Sequence, residues 1–463
     1  MGFEKRPLTA ICFGWFMVMV DATIVNVALP QLGKGFGASV SGLQWVVDGY
    51  TVVFAGLLLS TGWLGDRLGG KRVFQSGLAL FVLASVARGL APGLDVLIAA
   101  RVVQGLGAAL LVPSSLALLQ AGYGDRGSRA RAIGIWAMVG GFATGSGPLF
   151  GGVLVSSLGW RWIFFVNVPV GIVGMLLTAR WVHADQGGRS GERLDVPGQL
   201  TGMVALLAIT AGMVQAGRSG WTSPFVLAGF VVFVMAAAAF LVVEARVAAP
   251  MVPLSLFGSR ELSAATVIGC LMNLGFYGQL FVLTLYFQQV RGYSALLTGL
   301  ALLPQTGVIA FGSWLGGRIT SRSGPRVPMV VGMAVGAVGF LALTITSTSI
   351  PYWVIVLPMA ATGFGISFTM PAATAAVVEG APPERTGVAS GTLNASRQVG
   401  GAIGIALLGA FVAGGPASFV PGLRVSMVVA GVTYALAAAL ALTVPRPSRE
   451  PAEEGTAAAH TGR

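Results

Sequence analysis

Four ionisable residues stand inside long apolar stretches of the chain: Asp21, Asp48, Arg101 and Arg397. A charge at the centre of a bilayer costs at least about 2.5 to 3.5 kcal/mol on insertion scales, so function is the first explanation to try for each. A carboxylate in such surroundings feels desolvation and a nearby guanidinium in opposite senses, and that balance lets a group exchange protons near neutral pH. Asp21 is the first choice for that chemistry. Two plainer readings compete with it. Asp21 or Asp48 could form a fixed ion pair with Arg101 that only ties helices together, and Asp48 lies close enough to a span end to be hydrated.

Polar and small residues extend these positions into stripes. Arg101, Gln104, Gly105 and Ala108 follow helical spacing, so one side of a helix combines a charge, an amide and small residues and should face protein or a cavity. Asn394, Arg397, Gln398 and Gly401 repeat that spacing, with Asn273 and Gln279 available on another span. For Asn273, Gln279 and Asn394, interhelical hydrogen bonds worth about 0.6 to 2 kcal/mol are an equally good explanation. Gly141, Gly145, Pro148 and Gly152 form one small-residue stripe and Gly140, Ala143, Gly147 and Gly151 the adjacent one. Such stripes let neighbouring helices approach closely, and Pro148 frees a carbonyl and bends its helix. The pattern fits ordinary tight packing or a hinge and seal between two bodies. In the segment from Gly62 to Arg72, Asp66 beside a helix end could accept hydrogen bonds from the start of a neighbouring helix and latch one conformation. Arg67 and Lys71 would then hold the cytoplasmic surface.

Composition dictates the elements that position these residues. Of 463 residues, 55% are apolar and 10% charged, with a mean hydropathy of +0.82. A soluble domain carries roughly 25% charged residues, so a soluble enzyme is excluded. Fourteen stretches can be drawn that approach the roughly 20 residues a spanning helix needs. They lie near 8–30, 43–64, 73–91, 95–118, 131–155, 161–182, 197–216, 224–244, 263–290, 296–317, 327–347, 352–378, 387–413 and 423–444. The first lacks a small-residue cleavage site and is expected to be retained. Twenty Lys and Arg collect on the side of the termini against six opposite, the six being Lys34, Arg88, Arg161, Arg218, Arg291 and Arg424. Basic loops mark the cytoplasm, so both termini are expected there. This spread accounts for the net +12 without nucleic acid. Cys12 and Cys270 both lie in apolar stretches, which leaves no disulfide scaffold or zinc site. With no His pair and no Gly-x-Ser-x-Gly elbow, an intramembrane enzyme is the weakest reading and no metal is expected. The tail 446–463 reads as disordered.

The chain also repeats itself. Gly62, Arg67, Gly69 and Lys71 recur as Gly317, Arg322, Gly324 and Arg326, a shift of 255, and Gly105, Gly107 and Pro113 recur as Gly363, Gly365 and Pro371, a shift of 258. Two homologous bundles of six spans follow, with spans seven and eight inserted between them. Parallel repeats of six place a substrate site near the midplane between the halves. Asp66 becomes Ser321 and Arg101 becomes Met359, so ionisable residues concentrate in the first half.

On these motifs the chain resembles the major facilitator superfamily, and within it the drug:proton antiporters with 14 spans. Asp21-Ala22-Thr23-Ile24-Val25-Asn26-Val27-Ala28-Leu29-Pro30 is similar to the first-span signature of that branch, which brings Asn26 into the candidate site. Gly62 to Arg72 resembles the superfamily's conformational latch, and Arg101 to Gly107 the fourth-span motif of proton transfer. Gly147-Pro148-Leu149-Phe150-Gly151-Gly152 is similar to the antiporter motif of exporters, with Ala143 where Gly is usual. The stretch from Trp160 to Pro169 resembles the start of span six. Within the branch the chain is similar to methylenomycin-resistance-type and quaternary-ammonium exporters, a resemblance in general motifs that fixes no substrate.

The resemblance implies an all-α integral membrane protein of major facilitator fold with 14 transmembrane helices: a first bundle over 1–183, a linker with two inserted helices over 184–262, a second bundle over 263–445, and the tail. It implies a monomeric proton-coupled efflux antiporter in the bacterial inner membrane, moving a small amphipathic or cationic compound by alternating access without a cofactor. Asp21 is then the main site of proton coupling and cation recognition, Asp48 assists, and Arg101 tunes the carboxylates. Gln104, Asn26, Asn273, Asn394 and Arg397 complete the expected site. A proton-coupled importer or metabolite carrier on the same fold, and a non-transporting receptor or scaffold, remain alternatives.

Overall fold

The computed structural model describes residues 4–123, 125–183, 194–382 and 385–445, and among them the secondary structure is helical throughout. The first half holds α1 (Lys5–Phe36), α2 (Val40–Leu68), α3 (Gly70–Gly89), α4 (Leu94–Gly122), α5 (Arg126–Ser157), α6 (Trp162–Phe165) and α7 (Asn167–Trp181). Next come α8 (Val196–Ser219) and α9 (Pro224–Arg246). The second half holds α10 (Arg260–Leu285), α11 (Ala295–Ala301), α12 (Leu303–Gly307), α13 (Ile309–Ser323), α14 (Arg326–Ala342), α15 (Tyr352–Gly380), α16 (Thr386–Val412) and α17 (Pro416–Ala441). The expected tail and part of the expected linker, residues 184–193, lie outside the described residues.

Twelve described helices are long and apolar enough to cross a membrane, or up to thirteen when the bent pair Ala295–Ala301 and Leu303–Ser323 counts as one span. Helix α3, which carries Lys71, Arg72 and Arg88 in 20 residues, is not among them. Two of the stretches drawn as single spans are broken. The sixth is interrupted at Val166, where Pro169 cannot donate to the carbonyl of Phe165 and its ring crowds that turn. The tenth bends by 43° around Leu302, with Pro304 at the start of α12.

The repeat read from sequence reappears as paired close contacts. A Cβ on Gly107 of α4 would lie 3.1 Å from the Gly77 carbonyl oxygen of α3, and one on Gly365 of α15 would lie 2.7 Å from the Gly332 carbonyl oxygen of α14. Gly105 abuts the Tyr50 carbonyl just as Gly363 abuts that of Gln305. At these positions glycine lets two backbones touch.

The two halves touch along α2 and α16, and the side-chain hydrogen bonds between them gather toward the far side from the N terminus. Gln44 Nε2 of α2 donates to the carbonyls of Ile405 (3.0 Å) and Ala406 (2.8 Å) on α16. Gln288 Nε2 donates to the Val27 carbonyl of α1 at 2.8 Å, and the Leu296 N–H of α11 donates to Ser156 Oγ of α5 at 3.1 Å. Among the described residues every side-chain hydrogen bond between the halves lies on that side. The inserted pair covers one seam: α8 packs on both α2 and α16, with Ser41 Oγ donating to the Val214 carbonyl and Gln199 Nε2 to that of Gly56. Helix α9 leans on α8 and leaves most of its apolar surface facing outward.

Candidate functional site

Asp21 sits at the centre of a closed polar cluster drawn from α1, α3, α4 and α7. Its Oδ1 accepts from Arg88 Nη1 at 3.1 Å, Gln104 Nε2 at 3.1 Å and Asn167 Nδ2 at 2.8 Å. Its Oδ2 accepts from Arg101 Nη1. Gln104 joins the two cations, because its Oε1 accepts from Arg101 at 2.9 Å and also from Arg88. Ser85 Oγ accepts from Gln104 at 3.0 Å and from Asn167 at 3.3 Å, and Arg101 Nε donates to the Val46 carbonyl of α2 at 2.9 Å. Aromatic faces cover the guanidiniums, Phe164 at 3.7 Å from Arg88 and Tyr50 at 4.4 Å from Arg101. Asp21, Ser85, Arg88, Arg101 and Gln104 are all 0% exposed.

Helix spacing explains the assembly. Ser85 and Arg88 stand three apart on α3, and Arg101 and Gln104 three apart on α4, so each pair projects from one face toward Asp21. Gly107 and Gly77 bring α3 and α4 together just beyond it. The cluster sets two guanidiniums against one carboxylate, and Arg88 Nε and Nη2 and Arg101 Nη2 find no acceptor. Every edge of Asp21 is occupied. A charge-neutralising proton on such a carboxylate would weaken its bonds to both guanidiniums.

The ion pair expected between Asp21 and Arg101 is present, whereas Asp48 stands apart. Asp48 is 0% exposed and neither carboxylate oxygen has a hydrogen-bond partner, which corrects the expectation of a hydrated span end. Arg88, counted from sequence among the far-side loop charges, is instead buried in the cluster, because α3 carries it inward on its last turn. In this conformation donors occupy both oxygens of Asp21.

The remaining expected residues do not join the cluster. Asn26 Nδ2 donates to the Thr23 carbonyl of its own helix at 3.2 Å. Asn273 on α10 is buried with neither amide atom bonded, while Asn394 and Arg397 on α16 are half-buried. Arg397 Nη2 meets Met370 Sδ at 3.4 Å. Gln279 accepts from Gln305 Nε2 at 3.1 Å.

The small-residue stripes of α5 divide their partners. Gly140, Gly147 and Gly151 face α1, next to Trp15, Thr23 and Ile24. Gly145 and Gly152 face the other half, next to the carbonyls of Thr306 and Ala295, and the Pro148 carbonyl abuts Gly299. In the latch segment, Lys71 Nζ donates to the Ala179 carbonyl at the end of α7 at 3.0 Å, and Arg67 lies 5.2 Å from the Trp63 ring. Gly69 turns the chain at φ +90° between α2 and α3, and Gly62 abuts Pro113 of α4. The side chain of Asp66 lies outside the described residues.

Sequence reasoning left Ser85, Arg88, Asn167, Tyr50 and Phe164 out of the site. Ser85 and Arg88 carried a signal in their spacing of three on a span. Asn167 stood in the stretch from Trp160 to Pro169 with nothing to show which way it pointed.

The sequence model described as the Major Facilitator Superfamily matches residues 11–198 and 197–405. The chain is 36% identical over 446 residues to the methylenomycin A resistance protein of Streptomyces coelicolor, covering 96% of this chain and 93% of that one. It is 36% identical over 415 residues to the tetracenomycin C resistance and export protein of Streptomyces glaucescens, covering 89% and 77%. Among solved structures, a bacterial homologue of the human lysosomal transporter Spinster superposes with a TM-score of 0.65 at 19% identity, covering 95% of this chain and 97% of that one.

Proposed function

The chain belongs to the Major Facilitator Superfamily, a multi-pass membrane transporter and not an enzyme, and from that premise we propose that it exports a small amphipathic compound in exchange for protons. Export is supported by the relatives, which are resistance and export proteins. Coupling is carried by one observation: a carboxylate, Asp21, whose every hydrogen bond comes from donors whose hold a proton there would weaken.

In this reading α3 also crosses the bilayer, which makes 14 spans, and the moving bodies are 1–183 and 263–445. Both termini face the cytoplasm of a bacterial inner membrane, so the hydrogen-bonded far side is the external gate and the conformation is closed outward. The protein acts as a monomer, needs no cofactor and draws on the proton gradient. With the outer gate open, protonation of Asp21 loosens Arg88 and Arg101. Deprotonation toward the cytoplasm re-forms the cluster and re-closes α1, α3 and α4 around it. Coupling requires the proton to bind the two conformations with different affinity, and the cluster provides such a difference. Asp48, buried without a donor, serves as a second proton position. Gly145, Pro148 and Gly152 form the seal between the bodies, and the latch of Gly62, Asp66, Arg67, Gly69 and Lys71 steadies the inner surface.

The test is quenching of an imposed pH gradient in inverted vesicles by added drugs, comparing wild type with Asp21→Asn. A compound that collapses the gradient only through wild type is the expected outcome. Equal exchange by a folded Asp21→Asn variant would remove Asp21 from coupling.

A further inference from the structure

In the two bundles three guanidiniums, Arg88 on the last turn of α3 and Arg101 and Arg397 in mid-helix, stand with two mid-helix carboxylates, Asp21 and Asp48. Asp21 is consumed by Arg88 and Arg101. Asp48 does not serve Arg397. Helices α2 and α16 run antiparallel, with Gln44 opposite Ile405 and Ala406, Thr51 opposite Gly401, and Leu59 opposite Gly391. That register puts Asp48 level with the region of Gly404, about two turns farther out than Arg397.

Arg397 therefore has no carboxylate partner among the described residues. Its Nε has no acceptor and its Nη2 rests on a thioether, a weak acceptor. Its surroundings favour a ligand over a structural role. Gly269 of α10 lies against its stem. One turn on, along the same side of α10, Asn273 holds an amide 1% exposed with both atoms unbonded. One more turn brings the half-buried Tyr277 against Gly401. A cation, an idle amide and a phenol thus share the seam of α10 and α16, inward of the hydrogen-bonded gate, where a compound entering from the inner side would lodge.

We propose that the exported compound is an amphipathic organic anion whose carboxylate pairs with the Arg397 guanidinium while Asn273 hydrogen-bonds beside it. The proposal rests on the exporter reading above and gives it a substrate class. A guanidinium matches a carboxylate with two parallel N–H donors, whereas a neutral amide offers one uncharged carbonyl oxygen and an ammonium offers no acceptor. Among the described residues no carboxylate with a free edge stands beside Arg397, which argues in the same direction, because a cation would meet net positive charge there.

The experiment uses the full-length protein in proteoliposomes with an imposed pH gradient and three matched probes: naphthalene-2-carboxylate, its neutral amide, and 2-naphthylmethylammonium. Wild type should exchange protons for the carboxylate in preference to the other two. Arg397→Gln should raise the half-saturating concentration of the carboxylate by at least about tenfold, and Arg397→Lys should restore part of the loss. Asn273→Leu should weaken the carboxylate less than Arg397→Gln does, and all variants should elute as wild type on size exclusion. Exchange of the ammonium probe but not the carboxylate would overturn the anion proposal and leave export standing. Carboxylate exchange untouched in a folded Arg397→Gln would overturn the site. No proton exchange with any probe would count against both readings together.

Discussion

The two bundles share a backbone plan and fill it with opposite chemistry. Where the first places Ser85 and Arg88 on α3, the shift of 255 brings Phe340 near the end of α14 and Leu343 just after it. Where the first has Arg101 and Gln104 on α4, the shift of 258 brings Met359 and Thr362 onto α15. Phe340, Leu343 and Met359 are buried in one continuous apolar core with Phe276 and Tyr434. The same helix packing therefore places apolar side chains at these positions in the second half and, in the first, a buried ionic centre around Asp21. Duplicated scaffolds separate these duties readily, because close contacts such as Gly107 on Gly77 and Gly365 on Gly332 do not depend on what fills the space beside them.

The most severe way to break this contrast is to move one second-bundle residue into the first. Arg88→Leu copies Leu343 but strips Asp21 and Gln104 of a donor and unbalances a buried charge. Breaking one partner of such a network costs about 3 to 5 kcal/mol. Thermal unfolding in detergent should show a large loss of stability together with loss of transport. The triple variant Asp21→Leu, Arg88→Leu, Arg101→Met removes the charges together and should recover most of the stability while remaining inactive, since replacing a whole buried ionic group by apolar residues is often neutral or better. A single variant as stable as wild type would mean that the cluster does not hold the first bundle together.

A smaller effect separates contacts within a bundle from contacts between bundles. Gly147 and Gly152 both lie on α5, but a Cβ on Gly147 would meet Ile24 N of α1 at 3.2 Å, while one on Gly152 would meet Leu296 Cα of α11 at 2.9 Å. Gly147→Val overpacks a bundle interior and should cost about 1 to 3 kcal/mol of stability. Gly152→Val instead props the two bodies apart on the far side. It should leave the unfolding temperature near wild type, stop transport, and make an engineered cysteine at Ser156 more reactive from outside. If both variants lose stability equally, the seam moves as one unit with the bundle and is no gate.

Apolar length located the helices and the glycine repeats located the two halves, because both signals are periodic and local. The site was legible in part. Asp21, Arg101 and Gln104 stood out because polar residues in apolar helices are conspicuous at any position. Arg88 was missed because hydropathy cannot tell a span's last turn from the loop after it when an arginine folds back under a neighbouring helix. Asp48 and Arg397 announced themselves as charges, but only tertiary register reveals that one lacks a donor and the other a carboxylate. The breaks in the sixth and tenth spans were written in Pro169 and Pro304, yet proline within a membrane helix is tolerated too often to fix where a helix parts.

The finest test asks whether the second bundle is as inert as its core suggests. Tyr434 of α17 is its one large polar side chain buried beside Phe340, with ring centroids 4.7 Å apart, and its hydroxyl donates to the Met272 carbonyl of α10 at 2.7 Å. That carbonyl also lies within α10, where it can accept from the helix ladder, so removing the hydroxyl leaves no group wholly without a partner. Tyr434→Phe should therefore fall at the lower end of the usual 0.5 to 1.5 kcal/mol, roughly, for a lost hydrogen bond. Proton-driven exchange should be unchanged in rate and half-saturation. A transport defect larger than the stability loss would show that the tie between α10 and α17 takes part in the conformational cycle, and the division of labour between the bundles would then have to be redrawn around α10, the helix that also carries Asn273 and Tyr277.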